Sequence, residues 1–208
     1  MLDTETGNVI NVTLPDFWNG TSFFSKEEDA GRFLVTDRNI ILLVNADGTV
    51  VFPIRCPGLI PIGMTFAKNP TDAATEIVVV YSDGSLYRYS GDDGHFLGKS
   101  DVTDNQITTA RSEFEVDYEK NLLYIQTGEA VNVFDMTTWY EVSHVELCLG
   151  HDAGTDRFIS VASPARGTKQ IGYFEHYTTE ELIEKAKDIL QEQELTEEQK
   201  SLYGIEDN

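Results

Sequence analysis

The chain has 208 residues, of which 40% are apolar and 11% aromatic, and its formal net charge at pH 7 is −21. The apolar fraction is too high for a disordered chain, and the acidic balance excludes a nucleic-acid partner, which needs a basic surface. No apolar run approaches the roughly 20 residues of a membrane span, and no signal peptide opens the chain. Two cysteines, Cys56 and Cys148, are too few for a disulfide framework. We therefore expect a cytoplasmic protein without a membrane partner.

One local pattern recurs along the chain: an apolar residue ends a short strand, a small polar or acidic residue follows, and a tight turn comes next. The last strand residues of this pattern are Leu2, Val44, Tyr89, Phe134 and Phe174. Their spacing of roughly 40–45 residues, with several short strands per unit, is typical of propeller blades. The sequence therefore predicts an all-β fold, a β-propeller of about four blades over residues 1–177. A β-sandwich of similar strand spacing is the alternative.

Short segments of strand-forming residues divide each unit. The predicted strands are 33–36, 39–44 and 49–54 in the first, 77–81, 85–89 and 95–99 in the second, 114–117, 121–126, 130–134 and 140–146 in the third, and 158–162 and 170–175 in the fourth. The dipeptides Asp47-Gly48, Asp83-Gly84 and Asp93-Gly94 predict hairpins with type I′ turns, in which both central residues have φ > 0. The apolar runs 40–44 and 77–80 favour inner strands that are buried on both faces.

The end of the chain, residues 178–208, predicts a helical tail. Thr178 to Glu181 form a Thr-x-x-Glu capping box, which is typical of a helix start. The apolar residues that follow at helical spacing are Leu182, Ile183, Ala186, Ile189 and Leu190. We expect an amphipathic helix that packs on the chain's own sheet, and a second short helix from Leu195 towards Tyr203. Docking on another molecule is the alternative.

The turns at the ends of the predicted blades share a further pattern. Leu2 is followed by Asp3 and, after three residues, by Gly7, and the segment from Phe134 to Trp139 repeats this ending more loosely. These turns resemble those of the bacterial Trp-Asp (WD) repeat propellers, although the Trp-Asp dipeptide does not occur in the sequence. The tail is similar to the helix that follows the last blade in some members. The resemblance implies a scaffold or sensor, often fused behind a signalling or nucleotide-hydrolysing domain.

The last predicted unit turns helical before an outer strand appears. Residues Asn8 to Leu14 lie directly after the first blade-end turn, where an outer strand belongs. We hypothesise that this N-terminal strand completes the final blade, closes a ring of four and removes exposed sheet edges. The alternative is that the chain is the C-terminal part of a longer propeller with further blades upstream. A third interpretation is self-association through sheet edges or the C-terminal helix.

The search for metal-binding and catalytic residues predicts neither. His144, Cys148 and His151 have ligand types that suit zinc, but in an extended strand His144 and Cys148 lie more than ~12 Å apart. We interpret them as a buried cysteine and two surface or turn histidines. Acidic residues that we interpret as turn formers rather than calcium ligands are Asp92, Asp93, Asp101 and Asp104. Since no nucleophile elbow or phosphate-binding loop occurs either, we expect no metal, no cofactor and no catalytic residue.

Aromatic residues at predicted turns are the candidates for contact with a partner. Trp18, Trp139 and Tyr140 belong to residue types that often anchor interfaces. Arg55 opens the apolar segment 55–63, which we interpret as a loop between units. We therefore expect a non-catalytic β-propeller scaffold that binds a protein partner through these four residues. The alternative is a propeller enzyme, a hydrolase or lyase acting on a sugar or lactone in the central channel.

Overall fold

A computed structural model describes residues 24–27, 30–37, 40–102, 112–152, 154–165, 168–175, 177 and 179–190. The first sheet consists of β1 (Phe24–Lys26), β2 (Phe33–Asp37), β3 (Ile40–Val44) and β4 (Val50–Arg55). The second consists of β5 (Pro61–Lys68), β6 (Thr75–Tyr81), β7 (Ser85–Ser90) and β8 (Phe96–Asp101). The third consists of β9 (Ser112–Asp117), β10 (Leu122–Thr127), β11 (Ala130–Asp135) and β12 (Glu141–Glu146). The fourth consists of β13 (Cys148–Asp152), β14 (Arg157–Ala165) and β15 (Thr168–Glu175).

Each sheet is an antiparallel meander whose strands pair in chain order. The third strand of the sheets ends at Val44, Ser90, Asp135 and Glu175, within one residue of the four predicted blade ends that lie in the described chain. Successive up-and-down sheets of this kind are the blades of a propeller. The recurrent pattern in the sequence therefore marks the point where the third strand of each blade turns.

The hydrophobic core lies between neighbouring sheets. In β6, Ile77, Val79 and Tyr81 pack towards the first sheet, whereas Val78 and Val80 pack towards the third. Because side chains alternate along a strand, an uninterrupted apolar run is what burial on both faces requires. The prediction of inner strands at 40–44 and 77–80 is confirmed, since every residue in them except the half-buried Ile40 is buried.

Two predictions about strands and turns are wrong. Residues 55–63 are not a loop throughout, because β5 begins at Pro61. The Asp-Gly turns do connect hairpins, but they are not type I′: the positive φ belongs to Gly48, Gly84 and Gly94 and not to the preceding aspartates. Each aspartate carboxylate instead accepts the backbone N–H two residues later, which stabilises the turn without a strained aspartate.

Helix α1 (Thr179–Leu190) follows the fourth sheet, as predicted. Its apolar side chains do not pack on the chain's own sheet as expected, since Leu182, Ile183 and Ile189 are 53%, 48% and 77% exposed. In the described part of the chain, no helix has both the length and the apolar surface that a membrane span requires. The predictions for the first blade end at Leu2, the strand Asn8–Leu14, the capping residue Thr178 and the helix from Leu195 lie outside the described residues.

Candidate functional site

A cleft of about 280 Å³ opens between the third and fourth sheets. Its lining residues are Glu113, Phe114 and Glu115 from β9, Tyr124 and Gln126 from β10, Val131 from β11, Leu149, Gly150 and His151 from β13, and Ile159 from β14. Both charged and apolar side chains contribute to it. A combination of titratable groups and apolar surface is the composition that ligand sites commonly have.

The strand register places the polar residues of the third sheet on the face that meets the fourth. Glu115 pairs with Tyr124, and Glu113 pairs with Gln126, so the four side chains form two neighbouring rows. Phe114 and Val116, between and after the two glutamates, pack on the opposite side against the core shared with the second sheet. The alternation Glu-Phe-Glu therefore turns both carboxylates towards the cleft.

The wall contributed by the fourth sheet centres on His151. Its side chain is only 3% exposed, and its ring stacks on Tyr124 with ring centroids 4.0 Å apart. Nδ1 lies 3.0 Å from Oε2 of Glu115, and Nε2 lies 3.1 Å from Oδ1 of Asp156. Both ring nitrogens therefore face a carboxylate oxygen. The contact with Glu115 connects the fourth sheet to the third, whereas Asp156 lies in the turn between β13 and β14 of the fourth sheet itself.

Asp156 has a second partner besides His151. The ammonium of Lys120, in the turn before β10, donates to the Asp156 carboxylate. Burial raises the pKa of Asp156, but the hydrogen bonds and charges of Lys120 and His151 outweigh it and leave that pKa below its usual value. The carboxylate is therefore ionised at neutral pH and fixes one side of the imidazole ring.

Tyr124 carries the one buried side-chain polar atom of this cleft that has no hydrogen-bond partner among the described residues. The residue is 2% exposed, and its hydroxyl is buried without a hydrogen bond. Burial, together with the nearby carboxylates of Asp156, Asp117 and Glu115, raises the pKa of Tyr124 above its usual value. The phenol is therefore neutral, and a buried hydroxyl without a hydrogen bond costs about 1–3 kcal/mol relative to a bonded one.

The structure separates the residues that the sequence singled out for partner contact. Tyr140 precedes β12 and is 75% exposed. Arg55 is exposed too, but it ends β4, so it lies at the far end of an outer strand in a different sheet. Trp139 is buried, and the guanidinium of Arg88 lies 4.5 Å from its ring centroid, so its side chain belongs to the core. Trp18 lies outside the described residues.

The histidine and cysteine pattern considered for zinc does not form one cluster. The described residues contain no group of three or more His, Cys, Asp or Glu side chains placed to hold a metal ion. Cys148 is buried as expected, and its thiol donates to the Gly150 carbonyl. The expectation of two surface or turn histidines is wrong for His151, which lies in strand β13 and has a buried side chain. Its two carboxylate partners compensate for the burial of a polar ring.

The aspartates considered for calcium have structural neighbours instead. The carboxylate of Asp93 accepts the backbone N–H of His95 and lies 2.6 Å from Nδ1 of the same residue. Asp101 lies 3.3 Å from the Lys99 ammonium. Asp104 lies outside the described residues. Within the described chain, these acids therefore act as turn and surface residues.

Sequence reasoning did not find the cleft. The alternation of Glu113, Phe114 and Glu115 indicates a strand with one polar face, but it does not indicate what covers that face. The cover comes from β13, more than thirty residues later, and β13 was not predicted as a strand. The contact between His151 and Glu115 is therefore a property of sheet packing rather than of any local motif.

Comparison with known proteins supports the fold alone. No protein-family model and no curated protein matches the sequence. Among solved structures, Sqt1 of Saccharomyces cerevisiae matches with a TM-score of 0.54 at 15% identity over 76% of this chain and 48% of that one. The computationally designed protein Ika4 matches with a TM-score of 0.54 at 15% identity over 81% of this chain and 99% of that one.

The match to apo AztD of Citrobacter koseri has a TM-score of 0.47 at 18% identity and covers 59% of this chain. The chain spans about a third of the AztD chain and about half of the Sqt1 chain. Sqt1, which matches with a TM-score above 0.5, is a propeller, and this agrees with four successive antiparallel sheets packed face to face. The chain thus has an all-β propeller fold of about four blades, followed by an amphipathic helix.

Proposed function

We propose that this chain is a non-catalytic propeller scaffold that binds a protein partner through the exposed start of its outer strands. The proposal rests on the exposure of Tyr140, whose accessible fraction is 75%. Val142, two residues later, is also more than half exposed. A large aromatic side chain in this setting gains buried apolar area when a partner covers it. The cytoplasmic location and the relation to bacterial WD-repeat signalling proteins are parts of the same proposal.

The start of the outer strand is also apolar in the other two sheets that have four described strands. The exposed residues at or next to the start of the outer strands are Val50 and Val51 in β4, Phe96 and Leu97 in β8, and Tyr140 and Val142 at β12. In sheets with the same meander, equivalent strands start at the same end of the blade. The repeated apolar starts therefore offer one contact per blade to a partner, and the formal charge of −21 favours a basic partner surface.

The rival enzyme function has no observation in its favour among the described residues. A hydrolase or lyase of the predicted kind needs a carboxyl group with a raised pKa that acts as a general acid. In the described cluster of His151 and its neighbours, the pKa of Asp156 is lowered instead. The cluster suits charge pairing between sheets better than proton transfer to a substrate.

The scaffold proposal is tested by affinity capture with three immobilised proteins: the wild type, the double variant Tyr140→Ala/Val142→Ser, and the control Tyr173→Ala. Tyr173 is 62% exposed on β15 in the fourth sheet, so the control removes a similar ring from another surface. Any captured protein is then purified and its Kd measured by calorimetry. We expect the double variant to weaken binding at least tenfold and the control to leave it unchanged, because truncated aromatic anchors commonly cost about 2 kcal/mol or more.

Two results contradict the proposal. In one, the double variant captures the same proteins with the same Kd as the wild type. In the other, both substitutions weaken binding equally, which indicates general stickiness of exposed aromatic residues rather than a defined surface. Melting temperatures of all three proteins are compared first, and we expect them to agree because exposed side chains contribute little to folding.

A further inference from the structure

The cleft between the third and fourth sheets is lined by groups that can accept hydrogen bonds. Glu113 is exposed at its mouth, and Glu115 lines it with about a third of the side chain exposed. The Tyr124 hydroxyl, buried and without a partner among the described residues, also lines it. Carboxylates accept hydrogen bonds only, and a phenol oxygen accepts one while it donates another. A ligand that donates several hydrogen bonds therefore fits this set.

The remaining walls of the cleft are apolar. They are formed by Val131, Leu149 and Ile159. A volume of about 280 Å³ is near the lower end of the range for small-molecule pockets, so it accommodates a short aliphatic chain rather than a large ring system. Apolar walls next to acceptor groups match a ligand with a charged head and a hydrocarbon stem.

The electrostatic surroundings favour a cation. The carboxylates that line the cleft or act on Tyr124 are those of Glu113, Glu115, Asp117, Asp156 and Glu181. The basic side chains of the cluster are Lys120 and His151, so the carboxylates outnumber them by five to two. Since the whole chain is also acidic, an anionic ligand is repelled both locally and at long range.

We propose that this cleft binds an alkylammonium group, with the ammonium between the glutamates of β9 and the Tyr124 hydroxyl and the aliphatic stem along the apolar wall. An ammonium supplies three donors on a compact charge, which suits carboxylate and phenol acceptors that line one small cleft. The group belongs either to a free polyamine or to a lysine side chain of a protein. This site is separate from the surface at Tyr140 and does not depend on it.

The proposal is tested by titration calorimetry on the full chain with two probes, 1,5-diaminopentane and N-acetyl-lysine-N-methylamide. Glutarate, which has two carboxylates on a similar carbon chain, is the control ligand. We expect saturable binding of one amine per chain, weaker at 300 mM than at 50 mM salt, and no binding of glutarate. The salt dependence follows from screening of partly exposed charges.

Three variants separate this site from general attraction by an acidic protein. Glu113→Gln and Tyr124→Phe remove groups of the cleft, and Glu146→Gln removes an equal charge from the outer strand β12, where the side chain is 82% exposed. We expect each cleft variant to weaken amine binding about tenfold, the size of a lost hydrogen bond to a charged group, and Glu146→Gln to leave it unchanged. Because the Tyr124 hydroxyl is buried and has no partner without ligand, we expect Tyr124→Phe to melt at or above the wild-type temperature.

The proposal is overturned if no saturable amine binding is observed. It is also overturned if Glu113→Gln and Glu146→Gln weaken amine binding equally. Unchanged binding in Tyr124→Phe also overturns it, since that variant folds normally and lacks the acceptor. Binding of both amines supports the site and assigns it to a lysine side chain. Binding of the diamine alone supports it and assigns it to a free polyamine.

Discussion

Charged side chains lie in the interfaces between neighbouring sheets, where each meets a group from the next sheet. The contacts are Arg32 with the Gly91 carbonyl, Arg88 with the Trp139 ring, and Lys120 with the Asp156 carboxylate. Arg32 and Arg88 also pair with the buried carboxylates of Glu27 and Glu76. Loss of one partner from such a pair leaves a charge with unmet hydrogen bonds. Single residues at these interfaces therefore influence how the sheets pack.

At the scale of one residue, Asp156 predicts a pH dependence of folding. Its pKa is lowered in the folded chain, so its contribution to stability is present above the ordinary aspartate pKa and is lost as the pH falls through the folded value. We expect Asp156→Asn to lower the free energy of unfolding by only about 1 kcal/mol at pH 7, because solvent screens this partly exposed carboxylate. The difference from wild type should shrink between about pH 5 and pH 2. Denaturant unfolding at several pH values measures it.

The backbone does not confound this substitution. Asp156 has φ 51°, a conformation that asparagine tolerates as well as aspartate. The matched control is Asp101→Asn, which changes a 62% exposed surface carboxylate beside Lys99 and should alter stability little at any pH. A gap between wild type and Asp156→Asn that stays constant from pH 7 to pH 2 contradicts the role of the charge.

At the scale of elements, the turns after β7 and β11 are built alike. Each closes with the same two backbone hydrogen bonds, from Ser90 to His95 and Gly94 to Ser90 in one, and from Asp135 to Tyr140 and Trp139 to Asp135 in the other. The fifth residue of each has positive φ, 75° for Gly94 and 59° for Trp139. Because two such turns lie 45 residues apart, the repeat could be recognised in the sequence. Gly94 occupies the position at which a side chain would collide with the neighbouring blade.

Gly94→Ala is predicted to destabilise the chain through a clash between blades. A Cβ at this position lies 2.7 Å from the ring of Phe52 and 3.1 Å from Ile54, both on the outer strand of the first sheet. We expect a loss of about 2–4 kcal/mol, from about 1 kcal/mol for the left-handed backbone and the rest from displaced packing. Thermal and urea unfolding measure the change.

Gly58→Ala is the matched control for this turn. Gly58 has φ 80°, close to that of Gly94, but a Cβ there meets nothing within 4 Å. It therefore reports the backbone cost alone, about 1 kcal/mol. If the two substitutions cost the same, Phe52 moves away freely and the contact between the first two blades does not limit residue 94.

At the scale of the whole molecule, the sequence predicted the blades better than their contacts. Apolar runs and Asp-Gly turns are local, so the inner strands and hairpins followed from them. Strand β5 was missed because Pro61 and Gly63 are typical of loops. Gly63 is there because a Cβ would lie 2.6 Å from the Phe114 ring of the third sheet. The cleft at His151 was also missed, because contacts between blades join distant residues and produce no regular spacing in the sequence.

The fourth sheet differs from the other three in having three strands among the described residues. Strand β15 lies at the edge of this sheet, and no described strand pairs with its outer edge. Its residues Ile171 and Tyr173 are 66% and 62% exposed. Such an edge invites pairing with another chain unless a strand covers it. The hypothesis that Asn8 to Leu14 completes this blade concerns residues outside the described part, and it stays a prediction.

Replacement of residues 8–14 by a Gly/Ser segment of equal length tests it while retaining the chain length. If these residues supply the outer strand, the edge of β15 becomes free, so the molar mass by light scattering should rise with concentration above the 23.3 kDa of one chain. Adding Ile171→Lys and Tyr173→Lys should reverse this association, because charges on an edge strand oppose pairing between chains. A replaced chain that stays monomeric at every concentration contradicts the hypothesis. Association that the two lysines leave unchanged contradicts the role of β15, since the surface that pairs then lies elsewhere in the molecule.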